Sequence, residues 1–271
     1  TADPSGYVLF VIPSILVSIA ITPILLSISP TPAFETTKAM SLRELMGFSP
    51  LGCVGMFLLG GVFSAQFGMA SVYGSEAGLS VGEISTFVAT IFIGGMITQY
   101  PIGWLSDRMD RRALIALTAA VGAVGASIGV MSNGDFTLIL VAAFLMGSTS
   151  NPLYSLLLAY TNDFLDHEDM AAGSGGMIFL NGLGAVSGPL ITGWMMGVFG
   201  PSGFYMLIGV LFAMLAIYAV YRATQRAAIP VDETGSFVAM SQSAMTPVAM
   251  EIAQEYAIET DLEDESEIPA E

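Results

Sequence analysis

Seven long apolar stretches restrict this sequence more than any other feature: Tyr7–Ser27, Leu51–Tyr73, Ile84–Leu105, Ala113–Met131, Phe136–Tyr160, Ala171–Val198 and Gly203–Tyr221. A helix rises about 1.5 Å per residue, so roughly 20 apolar residues cover the ~30 Å hydrocarbon core of a bilayer. A spanning β-barrel would alternate in polarity over segments of about 10 residues, whereas these runs are continuously apolar. Inside lipid every backbone N–H and C=O must be satisfied within the protein, which leaves the helix. The sequence therefore predicts an all-α membrane protein with seven transmembrane helices.

Composition agrees: apolar residues make up 54% of the chain and charged residues 11%, against roughly 25% charge in a soluble domain. The net charge of −16 is unevenly placed, because eleven of the 23 acids lie between Asp232 and Glu271. Only seven Lys and Arg are present, too few for a nucleic-acid-binding surface. Cys53 sits in an apolar run with no second Cys or His beside it, so no disulfide or metal site is expected from it. No cofactor is expected either. The chain opens on Thr1, and Asp3 precedes the first apolar run without a basic stretch. This is not a signal peptide, and the expectation is a truncated chain with more protein upstream.

The links between spans are short and rich in turn residues, as in Ser132-Asn133-Gly134-Asp135 and Gly200-Pro201-Ser202-Gly203, so neighbouring spans run antiparallel. The link after the first span is longer, and within it Ser41–Met46 reads as a short interfacial helix. Lys38 and Arg43 follow span one, Arg108, Arg111 and Arg112 follow span three, and Arg222 and Arg226 follow span seven. With alternating spans all of these cations share one face, which the positive-inside rule makes cytoplasmic. Residues before Tyr7 are then outside and the acidic tail inside. From Ala227 onward the chain has no basic residue and little apolar content, so disorder is expected. Thr246-Pro247 could start a short helix there, with Val248, Ile252 and Tyr256 on one face.

The link between spans three and four carries five charges in six residues, Asp107-Arg108-Met109-Asp110-Arg111-Arg112, preceded by Gly103-Trp104-Leu105-Ser106. Anchoring at the membrane face accounts for the arginines but not for the glycine spacing or the two carboxylates. The stretch resembles the inter-helix signature of the major facilitator superfamily, Gly-x-Leu-(Ser/Ala)-Asp-Arg-x-Gly-Arg-Arg. It matches at Gly103, Leu105, Ser106, Asp107, Arg108, Arg111 and Arg112 and departs at Asp110, where the family usually has glycine. Members of a bacterial subgroup resemble it more closely and accept that acid.

The resemblance implies a gating motif at Gly103, Asp107, Arg108, Arg111 and Arg112, in which Asp107 meets Arg108 and the N-terminus of a facing helix, whose partial positive charge favours a carboxylate. In the sixth span, Gly184, Gly188, Pro189 and Gly193 form a small-residue helix-packing motif, similar to the superfamily's antiporter-type motif. Because that motif normally lies in helix five rather than eleven, it supports the fold and not exchange chemistry.

The seven spans also divide as one plus six. Twelve-helix carriers of this type have two six-helix halves, each made of two three-helix repeats. The resemblance implies that residues 1–29 are helix six of a missing N-terminal half and residues 30–50 the central cytoplasmic loop. Residues 51–221 are then the C-terminal half and residues 222–271 the acidic tail, in a bacterial inner (plasma) membrane.

Mid-span Asp, Glu, Lys, Arg and His are absent, which leaves amide and hydroxyl chemistry: Gln66, Gln99, Asn151, Tyr154 and Asn181. By the resemblance these lie on cavity-forming helices seven, eight, ten and eleven and are candidates to touch substrate. An ordinary interhelical hydrogen bond, worth about 0.6 kcal/mol, is the alternative role for each. Ser148–Pro152 could unwind locally and expose carbonyls. The acids around Asp163–Asp169 are expected to be helix-dipole partners rather than a metal site.

The sequence thus predicts a secondary carrier of a small-molecule solute, acting by alternating access in a lipid bilayer together with its missing N-terminal half. The rival readings are a seven-helix receptor and a non-transporting membrane scaffold. A retinal protein would need an embedded lysine, and Lys38, the sole lysine, is in a loop. An enzyme is not expected, because no nucleophile has a base beside it.

Overall fold

A computed structural model of the protein describes residues 11, 14–19, 40–225, 235 and 237. The chain divides into two units, Thr1–Thr36 and Thr37–Glu271. In the first, residue 11 and residues 14–19 are helical; the rest of the expected first span lies outside the described residues. So do much of the 30–50 loop and nearly all of the acidic tail, including Thr246-Pro247.

Every element among the described residues of the second unit is helical. Helix α1 (Leu42–Phe48) is short and begins with reciprocal capping: Ser41 Oγ accepts the Glu44 N–H at 3.3 Å while the Ser41 N–H donates to Glu44 Oε2 at 2.8 Å. The first long helix opens as α2 (Pro50–Phe63), with proline where the missing N–H costs nothing. It passes through a π-helical turn at Ser64–Gly68 and resumes as α3 (Ala70–Glu76). The other long helices are α4 (Val81–Ser106), α5 (Arg111–Met131), α6 (Phe136–Asn162), α7 (His167–Phe199) and α8 (Ser202–Gln225). Six helices among the described residues are long and apolar enough to cross a membrane, against the seven read from sequence.

The connections follow the turn chemistry. Asn133 and Gly134 take positive φ, 47° and 87°. Asp135 then caps α6 by accepting the Thr137 and Leu138 N–H groups at 2.8 and 3.1 Å. Tyr73, Phe87, Phe204 and Tyr205 form a buried ring cluster that ties α3 to the starts of α4 and α8.

The expectation that Ser148–Pro152 unwinds is not met. Helix α6 is continuous from Phe136 to Asn162 with Pro152 inside it. Proline cannot donate to the carbonyl four residues back, and Thr98 of α4 supplies that bond, donating its hydroxyl to the Ser148 oxygen at 2.7 Å. The Ser148 and Thr149 hydroxyls turn back onto the Leu145 carbonyl, so the serine-threonine run is accommodated within the helix it was expected to open.

The helix contacts have an internal symmetry. Taking α2–α3, α4 and α5 as one triplet and α6, α7 and α8 as a second, α4 packs on α6 as α7 packs on α2. Likewise α5 packs on α6 as α8 packs on α2, and α5 packs on α8 across the middle. Exchanging the triplets maps each of these pairs onto another, although α5 packs on α6 more extensively than α8 does on α2, and α7 on α8 more than α4 on α5. Glycines make both equivalent crossings tight. A methyl group at Gly147 would overlap the Ile91 carbonyl between α6 and α4, and one at Gly184 would overlap the Phe57 carbonyl between α7 and α2.

Candidate functional site

The hairpin between α4 and α5 is organised around Arg111, which stands at the first turn of α5 with its side chain only 3% exposed. It donates from Nε to Ser106 Oγ at 3.0 Å and from Nη1 to Asp163 Oδ1 at 2.5 Å, while Nη2 donates to the Gly235 carbonyl. Asp107 is a looser partner at 3.6 Å. Asp163 lies just past the end of α6, and its side chain is 4% exposed. Burial pushes its carboxyl above the ordinary carboxylate range, although Arg111 and the Gly235 N–H pull the other way. A short ion pair has not fully offset the loss of water.

The other charges of the hairpin are divided between local tasks. Asp110 is the N-cap of α5. Its Oδ1 accepts the backbone N–H of Arg112 at 2.9 Å and Arg112 Nε at 3.1 Å, and its Oδ2 accepts Arg112 Nη2 at 2.8 Å. Burial opposes the charged form of Asp110, but these bonds and the Arg112 charge outweigh it and hold the carboxyl below its usual range. With φ at −55° the position does not require glycine, so an acid fits where the signature has glycine. Arg108 lies 4.3 Å over the Trp104 ring and donates to the Trp104 carbonyl. Asp107, for which the resemblance implied Arg108 and a helix N-terminus, instead meets Arg111 and accepts the Phe237 N–H at 3.0 Å. Gly103 is buried beneath the Phe237 ring.

Within the spans, the π-helical turn holds Gln66 fully buried, with no hydrogen-bond partner for either Oε1 or Nε2. Ser150 Oγ and Tyr154 Oη on α6 are buried and unpartnered too. A buried polar group left unsatisfied costs about 1–3 kcal/mol, and π turns recur where a helix has been adapted for a task. The ring of Phe63, just before this turn, is 5.8 Å from that of Phe67 within it, and Tyr154 lies 6.3 Å from Phe63. One turn before Tyr154, the half-buried Asn151 packs against Gly95 so closely that a methyl group there would overlap its amide. Gln99 donates from Nε2 to Ser155 Oγ at 3.0 Å.

Gln99 and Asn151 therefore share the α4–α6 seam, and Tyr154 connects α6 to the aromatic flank of the π turn. Asn181 stands apart from them, donating to the Met56 carbonyl at 3.2 Å in the α2–α7 crossing. Gly184 and Gly188 form that same crossing, against Phe57, Gly61 and Ser64. Pro189 and Gly193 come beside the π turn, where methyl groups at Gly68 and Gly193 would sit 3.8 and 3.9 Å from Pro189 and Met69.

The hairpin chemistry and the repeated triplets agree with the sequence comparison: the model of the Major Facilitator Superfamily matches residues 52–247. The chain belongs to the Major Facilitator Superfamily. Among curated superfamily proteins it is 24% identical over 176 residues to the uncharacterized MFS-type transporter YcaD of Escherichia coli O7:K1 (strain IAI39 / ExPEC). That match covers 65% of this chain and 44% of the relative. YcaD of Escherichia coli strain K12 / DH10B is also 24% identical, over 64% of this chain and 43% of its own length. The chain thus spans less than half the length of the curated relatives it matches. It is a multi-pass membrane protein.

Two features of this superfamily member were missed from sequence. Spacing alone places Asp163 with the acids that follow it, because its partner Arg111 lies 52 residues away; the one signal in the sequence is a carboxylate directly after a span. The π turn leaves no mark in hydropathy, since Ser64–Gly68 continues an apolar run.

Proposed function

We propose that this chain is the C-terminal half, with the preceding helix, of a secondary active carrier that moves a small solute across a bacterial inner membrane by alternating access. The exchange symmetry of the two helix triplets carries this reading. Consecutive triplets of antiparallel spans have opposite membrane orientation, the inverted repeat from which such carriers are built. The helices left least buried, α4 and α7, are equivalent under that exchange. Their apolar faces, with Met96, Val186, Leu190 and Trp194 exposed, are where a second half would dock.

The solute site then lies on the inner side of these helices. Gln66 and Tyr154 supply unpartnered polar atoms, and Gln99 and Asn151 line the neighbouring seam. Asn181, which already holds the Met56 carbonyl, is the weakest of the five candidates. The Gly103–Arg112 hairpin is cytoplasmic and acts as a gate. Residues before Tyr7 face outward and the tail faces inward.

Cysteine mapping tests the arrangement. With Cys53 replaced, single cysteines at Ser75, Asn133 and Ser202 should react with an impermeant reagent from outside. Those at Met109, Asp166 and Ser236 should react only after permeabilisation, and external labelling at Met109 overturns the assignment. For transport, the chain is rejoined to its upstream half and screened for solutes that raise its melting temperature. Gln66→Ala and Asn151→Ala should abolish both the shift and uptake into proteoliposomes; unchanged uptake in both variants removes these residues from the site.

A further inference from the structure

The site at the hairpin is already occupied by a segment of the chain's own tail. Gly235 uses both of its backbone polar groups: its carbonyl accepts from Arg111 Nη2, and its N–H donates to Asp163 Oδ1 at 3.3 Å. Two residues on, the Phe237 N–H donates to Asp107 Oδ1 at 3.0 Å. The Phe237 ring covers Gly103, where a methyl group would come within 2.5 and 2.7 Å of its Cδ1 and Cε1 atoms. The segment therefore satisfies a buried cation and two carboxylates with backbone groups alone, and its aromatic side chain fills a depression that only glycine leaves open.

We propose that Gly235 and Phe237 form an intramolecular latch on the Gly103–Asp107–Arg111–Asp163 site. The latch has to release before any other element can engage Asp107 and Arg111. A competitor of the same chemistry is a helix N-terminus, which also offers backbone N–H groups to a carboxylate. In this part the inference rests on the carrier reading: closure of a second half onto the hairpin and docking of the tail exclude one another, so the tail is autoinhibitory.

Gly103→Ala is the discriminating variant. The added methyl meets the ring of a tail residue rather than helix backbone, and alanine is the better helix former. The bundle should keep its melting temperature while the tail is expelled. Hydrogen exchange of the purified chain in nanodiscs should show the Gly235 and Phe237 amides slowed by about tenfold or more, the protection expected of bonds to charged acceptors. Gly103→Ala and Phe237→Ala should each remove that protection. Both should also raise the reactivity of Arg111 towards phenylglyoxal several-fold, read by peptide mapping. Unprotected tail amides in the unaltered chain overturn the latch, as does Arg111 reactivity unchanged in both variants. Neither measurement needs the upstream half, so a failed latch is distinguishable from a failed carrier assignment, which the cysteine mapping reports.

Discussion

Arg111 and Asp163 are nearly dry, and removing one member of a buried pair leaves the other without compensation. Asp163→Ala removes the charge together with the Oδ1 acceptor that Arg111 uses and is expected to cost about 3 kcal/mol, the low end for such a loss because Asp107 remains 3.6 Å away. Denaturant unfolding in bicelles measures this, and a cost below ~1 kcal/mol would show the pair to be solvated. The two acids of the region should respond to pH in opposite senses. Asp110 titrates below its unfolded value, so it stabilises the fold above the ordinary carboxylate range and loses that contribution as pH falls through its folded pKa. Asp163 titrates above its unfolded value, so its contribution is full at low pH and is lost as pH rises through its folded pKa. Melting curves between pH 3 and 7 should therefore lose the acid-side fall in Asp110→Asn and lose the opposing trend in Asp163→Asn. At this scale the charged cluster was legible and its wiring was not. Spacing pairs residues within a helix turn, as with Asp110 and Arg112, but cannot reach an acid 52 positions away or a tail glycine 124 positions away.

Helices were the most legible level, because hydropathy and caps are local. The last five spans begin and end within a few residues of the apolar runs that predicted them. The interior of a helix was harder to read. A proline in a serine-threonine run looks like a break when α6 is considered alone, and only the Thr98 hydroxyl of another helix explains its continuity. Glycine pairs likewise gave one side of a contact: Gly184 and Gly188 were visible, whereas Gly60 and Gly61 opposite them needed the fold. Gly184→Ala drives a methyl group into the Phe57 carbonyl and is expected to cost about 2–3 kcal/mol. Gly182→Ala, two residues earlier with open space around it, should be neutral or stabilising by up to ~1 kcal/mol. Equal unfolding free energies for the two variants would mean that the crossing can relax.

Across the whole molecule, the two tight crossings and the α5–α8 contact differ in kind. At Gly147 and Gly184 one helix meets the backbone of the next with no side chain between them. Where α5 meets α8, the rings of Tyr205 and Phe212 lie over Gly129 and Gly122, and each ring has rotatable bonds that backbone contact lacks. Native-state hydrogen exchange should accordingly give α2, α4, α6 and α7 common opening energies within each crossed pair, while α5 and α8 open separately from them; a single opening energy for all six would contradict this. In terms of parts, the bundle is two backbone-to-backbone crossings, α4 with α6 and α2 with α7, joined by a side-chain-filled seam between α5 and α8. Any change in the angle between the two crossings has to be accommodated along that seam, where side chains rather than backbone meet.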